Sequence, residues 1–219
     1  MNMQLQVRKI TLLLFVLCVS ILPQVSWAQA DDTTSLEELY WARQDSARAK
    51  FSQADVDFMS GMIGHHAQAL VMSGFAPKNG ASASVQILAA RIINAQNDEI
   101  NTMQRWLRDR GQTVTEVEIQ GNTLIIHGGG HHAMHMPGML TQDEMKELEL
   151  ARGVGFDRLF LMYMIKHHMG AVTMVRDLLA IDGAVTGDDT YKIATDIHVD
   201  QVTEIARMEQ MLAQLPDAN

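Results

Sequence analysis

Apolar residues recur at three- and four-residue intervals along most of this chain, and the polar residues between them mark where helices begin and end. Ser35-Leu36-Glu37-Glu38 reads as a capping box opening a first helix through about residue 50, with Leu36, Leu39, Tyr40 and Ala47 on its apolar side. The stretch from Ser52 to Asp55 repeats that start signal. A second helix then carries Val56, Phe58, Met59, Met62, Ile63, His65, His66 and Val71, and ends before Pro77. Val85, Leu88, Ile92, Ala95, Glu99, Met103 and Trp106 keep helical spacing over 82–110, where Gly111 stops the helix. Thr141-Gln142-Asp143-Glu144 opens a short helix, and two longer ones follow at about 157–181 and 190–215.

The helical pattern breaks between Gln112 and Gly130. Val117 and Ile119, then Leu124-Ile125-Ile126, flank Gly121-Asn122, which predicts a short β-hairpin. His127 and three glycines lead into His131-His132-Ala133-Met134-His135-Met136-Pro137-Gly138-Met139, where no helix is expected.

The two halves of the pattern are copies. Met62-Ile63-Gly64-His65-His66, with Ala69 and Met72 beyond, returns as Met164-Ile165-Lys166-His167-His168, with Ala171 and Met174 beyond. Gln96, Glu99, Ile100, Met103 and Leu107 return as Gln201, Glu204, Ile205, Met208 and Leu212. A duplicated helical hairpin accounts for both matches. The fold expected is all-α: two hairpins forming a four-helix bundle, with short flanking helices and a Gly-rich loop and β-hairpin as an insertion. Repeat one covers about 52–111, the insertion and loop 112–140, and repeat two 141–215.

Residues 1–30 read as a secretory signal peptide. Arg8-Lys9 precede an apolar run from Ile10 to Leu22, and Ala28-Gln29-Ala30 supplies a small-x-small cleavage site. The expected product is one domain over 31–219, periplasmic or secreted, without a stable membrane anchor. Losing Arg8 and Lys9 leaves 15 basic against 26 acidic residues, a net charge of −11 with histidine neutral. That balance argues against nucleic acid as a partner and suits a protein that meets cations. Cleavage also removes Cys18, the single cysteine, so thiolate ligands, disulfides and cysteine nucleophiles drop out.

The residues left to carry chemistry are histidine, methionine and carboxylates. At 100° per residue, Met62, His65, His66, Ala69 and Met72 occupy a sector of roughly 120° on one helix face, as do Met164, His167, His168, Ala171 and Met174. Each His pair therefore points towards the bundle interior, one member at the facing helix and the other at a seam. Glu99 and Glu204 fall on apolar faces, where an unpaired carboxylate is costly. With Gln96 and Gln201 they are candidates to fix the imidazoles from behind, or to satisfy them as plain hydrogen-bond partners. The loop places His131, His132 and His135 among Met134, Met136 and Met139 without apolar periodicity, so core packing does not explain it. Thioether and imidazole without thiolate favour copper, as Cu(I) where methionine dominates and Cu(II) where histidine does. No Glu has a His three positions later, and no zinc-protease, nucleophile-elbow or phosphate-loop motif is present. No catalytic residue is indicated.

Phe58-Met59-x-x-Met62-Ile63-x-His65-His66-Ala67-Gln68-Ala69, Gly138-Met139-Leu140-Thr141, Phe156-Asp157-Arg158-Leu159-Phe160 and Met164-Ile165-x-His167-His168-x-Gly170-Ala171 resemble the repeated motif of the exported domain-of-unknown-function 305 family. The resemblance spans about Ser35 to the C-terminus. It implies a ferritin-like four-helix bundle, and copper binding in the periplasm as in some members. Carried over by position, it implicates Met62, His65, His66, Met72, Met164, His167, His168 and Met174, with the Met/His loop as a further site. The leading expectation is an exported protein that buffers or carries copper without catalysis, meeting the metal ion and another exported copper protein. A non-metal interaction bundle with structural His pairs is the alternative, and a copper-dependent oxidase the weaker one.

Overall fold

The computed structural model describes residues 28–128 and 136–216. Its elements are α1 (Ala28–Arg48), α2 (Gln53–Gly74), α3 (Ala83–Asp109), β1 (Glu116–Gln120), β2 (Thr123–His127), α4 (Gln142–Leu150), α5 (Gly153–Leu179) and α6 (Asp188–Ala213). Contacts divide the chain after Gln44. Among the described residues no helix is long and apolar enough to cross a membrane.

Helix α1 differs from its expectation. Ser35 lies inside it rather than at its start, so the apparent capping box is a run of polar helical residues. The side chains of Leu36, Leu39, Tyr40 and Trp41 are exposed.

The second unit, from Asp45 on, is the expected duplicated hairpin. α2 packs on α3, α5 on α6, and α2 lies against α5, which makes a four-helix bundle. Local signals set several of the ends. Ser52 and Asp55 form a capping box on α2, Ser82 caps α3, and Thr141 with Glu144 forms the box on α4. Gly111, at φ +64°, ends the turn after α3, a left-handed conformation that costs glycine nothing. The hairpin pairs Glu116 with His127 through Gln120 with Thr123 around Gly121-Asn122, as read from the sequence, and it packs on α2. Helix α5 begins at Gly153, four residues before its expected start; its N-cap residue, Arg152, makes no side-chain capping bond and so offers no start signal in the sequence.

The duplication continues into tertiary contacts. Asp55 and Asp157 hold equivalent positions in α2 and α5, and both are buried. Asp55 accepts the Val185 N–H at 2.8 Å, and Asp157 accepts the Ser82 N–H at 3.1 Å. Each repeat thus uses one buried carboxylate to hold the loop of the other, and an anionic acceptor makes these bonds stronger than neutral ones.

Candidate metal centre

α2 and α5 run antiparallel and cross at their histidines. His65, His66, His167 and His168 are all fully buried. The rings of His65 and His167 lie against each other with centroids 3.8 Å apart and planes tilted by 36°, and His167 Nε2 donates to the His65 carbonyl at 3.0 Å. The outer members turn towards their own hairpins. His168 Nε2 bonds Glu204 Oε2 at 2.6 Å. His66 Nε2 sits 2.7 Å from Glu99 Oε2, in an orientation off the hydrogen-bond line. The division expected from the 100° step therefore holds: one histidine of each pair faces the other repeat, and one faces a seam closed by glutamate. Glu99 and Glu204 keep 15% and 17% of their side-chain surface, so each seam reaches solvent through a carboxylate. Asp200 stands near both; burial and the charges of Glu99 and Glu204 push its carboxyl above the usual range.

The end of the Met/His segment and the residue after it complete the enclosure. His65 Nε2 donates to the Pro137 carbonyl at 3.0 Å. Gln68, one turn further along α2, accepts the Leu140 N–H at 2.8 Å and donates to the Leu140 carbonyl at 3.0 Å. The loop then crosses α5 on bare backbone at Gly170. Gln68 and Gly170 are equivalent positions of the two repeats, so the duplicated motif departs from symmetry where it grips this loop. Replacing Gln68 with alanine leaves a buried N–H and carbonyl without partners, and a loss of about 2–3 kcal/mol in urea unfolding is expected. Unchanged stability would mean the loop is held by other contacts.

Burial drives both central imidazoles to their neutral form. His65 is lowered to about 3 by desolvation, with the charge of His66 adding to it. His167 is held well below its ordinary value, again by burial first and then by His65 and its neighbours. In a neutral ring only one nitrogen carries the proton, and a carbonyl acceptor assigns it to Nε2 in both. Each Nδ1 then presents a lone pair. None of the four Nδ1 atoms has a hydrogen-bond partner among the described residues. Backs tied to backbone carbonyl or carboxylate and fronts left bare is the arrangement that orients metal-binding histidines. The donor chemistry therefore fits a metal. Even so, among the described residues no three His, Cys, Asp or Glu side chains are already grouped to hold one ion, so the imidazoles must shift to share one.

Antiparallel pairing splits the flanking methionines between two ends of the bundle. Met62 packs with Met174 in one cluster; Met72 and Met164 pack in the other with Phe75, Phe156 and Phe160. Met72 and Met164 are fully enclosed by that apolar cluster. Gln96 and Gln201 are buried with side-chain atoms unpartnered, rather than bonded to the histidines. Of the loop set, Met136 and Met139 are half-buried, while His131, His132, Met134 and His135 lie outside the described residues. Sequence reading missed Gly61, whose bare Cα lies against Met136 of the loop, and also Gln68 and Gly170. Their signal was there: each is a position at which the two copies differ.

No protein with a curated description matches the chain. A crystal structure of a DUF305 fragment from Deinococcus radiodurans is similar at 30% identity and a TM-score of 0.61, covering 75% of this chain and 99% of that one. The protein CopM in its Cu(II)-bound form is similar at 28% identity and a TM-score of 0.54, covering 73% and 95%. CopM in its Cu(I)-bound form gives 25% identity, a TM-score of 0.53, and coverage of 73% and 95%. The profile of the family described as Domain of unknown function (DUF305) matches residues 55–212. The chain belongs to this DUF305 family.

Proposed function

We propose that the protein binds copper as cargo, buffering or carrying it in an exported compartment, with His65, His66, His167 and His168 as the nitrogen donors and the Met/His loop as a capture segment. The observation that carries this reading is the set of four buried Nδ1 atoms without partners among the described residues. A buried polar atom left unbonded costs about 1–3 kcal/mol, and four at one crossing call for a ligand. Imidazole nitrogen with thioether and no thiolate is a copper set. The Cu(I)- and Cu(II)-bound forms of CopM agree with that chemistry.

The non-metal reading draws on the Nε2 atoms, which do meet protein oxygens. It needs the other ring nitrogens satisfied as well, and they are not. Replacing His131, His132, Met134, His135, Met136 and Met139 together separates loop from bundle. The variant is expected to lose part of its bound copper and keep a Cu(II) fraction whose electron paramagnetic resonance shows imidazole nitrogen. Complete loss of nitrogen-bound Cu(II) would leave the buried histidines without a metal role.

A further inference from the structure

We propose that the protein binds a small aromatic carboxylate in a cleft between α3 and α6, beside the start of α3; this goes beyond the copper reading and does not depend on it. The cleft has a volume of about 230 Å³ and is lined by Ser84, Ile87, Leu88 and Arg91 of α3 and by Arg207 and Met211 of α6. No carboxylate is among these residues. Neither guanidinium has a hydrogen bond or an ion pair among the described residues, unlike that of Arg110. Two unpaired cations thus share one cleft of a chain whose net charge is −9.

The duplication shows what such a corner contains when the protein fills it. In the register that aligns Gln96 with Gln201, Ser84, Ile87 and Arg91 align with Asp189, Lys192 and Asp196, and Arg207 and Met211 align with Thr102 and Trp106. At that other corner Trp106 is 3% exposed and donates its indole N–H to Thr190 at 3.1 Å. Arg110 lies over the Trp106 ring at 4.1 Å and pairs with Asp189, while Lys192 pairs with Asp196. Two cations and two carboxylates therefore surround one aromatic ring. The cleft keeps two cations and has neither the ring nor the carboxylates, because Met211 replaces Trp106 and Ser84 and Arg91 replace the two acids. An aromatic carboxylate supplies the missing parts: a ring to lie on Leu88 and Met211, and an acid group that a guanidinium grips by two parallel bonds. A cavity of about 150 Å³ takes benzene, so the volume suits one ring with its acid group.

The test is a titration of the untagged protein with benzoate, followed by backbone amide shifts in heteronuclear NMR, with benzamide, acetate and inorganic phosphate alongside. Saturable shifts at Ser84, Leu88 and Met211 are expected with benzoate. Benzamide lacks the charge and acetate lacks the ring, and each is expected to bind roughly tenfold or more weakly. Arg91→Gln and Arg207→Gln are each expected to weaken benzoate roughly tenfold, the loss of one charge-assisted bond. Met211→Trp places in the cleft the ring that Trp106 places in the other corner, and is expected to abolish binding. Both arginines are exposed, so their variants keep the fold and decide the matter if the tryptophan disturbs it. Absence of saturation by benzoate would overturn the site, as would benzoate binding that survives both arginine changes. Acetate or phosphate binding as tightly as benzoate would also overturn it, by reducing the cleft to two surface cations that attract any anion.

Discussion

Replacing Gly170 by alanine is expected to destabilise the protein by about 3 kcal/mol or more, although a glycine-to-alanine change inside a helix ordinarily gains about 1 kcal/mol. Gly170 lies well inside α5, where an added methyl improves helix propensity if there is room. There is none. A Cβ at this position would sit 1.9 Å from the Pro137 carbonyl oxygen and 2.7 Å from Gly138 Cα. Both obstacles are backbone, which cannot rotate aside as a side chain would. Gly138 is held at φ +78° with its own missing Cβ aimed at the Lys166 and His167 carbonyls, so the loop cannot retreat by reversing partners. The methyl must lift the loop off α5. That breaks the Pro137 bond to His65 and strains the Gln68 clamp on Leu140. Urea unfolding measures the cost, and copper affinity measured on the same variant is expected to fall with it. A stability equal to wild type would show that the crossing is looser than this geometry implies.

The metal-free protein is expected to lose stability steeply below neutral pH. His65 and His167 have folded pKa values below the ordinary histidine value near 6.5 because burial penalises their charged forms. The unfolded chain therefore binds protons that the folded chain refuses. The stabilisation is whole above about pH 6.5 and is lost as pH falls towards the folded values, at up to about 1.4 kcal/mol per pH unit for each group. By pH 5 that amounts to roughly 2 kcal/mol for His65, and His167 acts in the same direction. Chemical denaturation at pH 7, 6 and 5 checks the slope, and a His65→Gln variant is expected to flatten part of it. A stability independent of pH across that window would mean that the imidazoles ionise in place.

Local chemistry made much of this fold legible. Ser52, Ser82 and Thr141 cap helices through contacts within three residues, and the Gly121-Asn122 hairpin is set by its own turn. The repeat revealed the bundle, and the angular sector of the His pairs placed them inside it. Contacts between distant segments were not legible. Nothing local says that α2 and α5 run antiparallel, yet that direction sends Met62 and Met174 to one end and Met72 and Met164 to the other. Asp157 looks like an ordinary helix acid until the fold brings the Ser82 N–H to it. Ser35 failed as a start signal because the residues upstream of it are also helical. The identities between the repeats marked the histidines. The differences, Gly61 against Tyr163 and Gln68 against Gly170, marked how the loop reaches them, and only a structure shows which contacts those differences serve.

A competition titration of copper against zinc on the untagged protein, with an isolated 127–139 peptide alongside, tests the central claim most directly. The buried histidines, with the Met/His loop beside them, predict copper binding that is stoichiometric, tighter than zinc and tighter than the peptide. An affinity no better than that of the free peptide would contradict the account, because the folded bundle would then add nothing to what an exposed Met/His segment does alone.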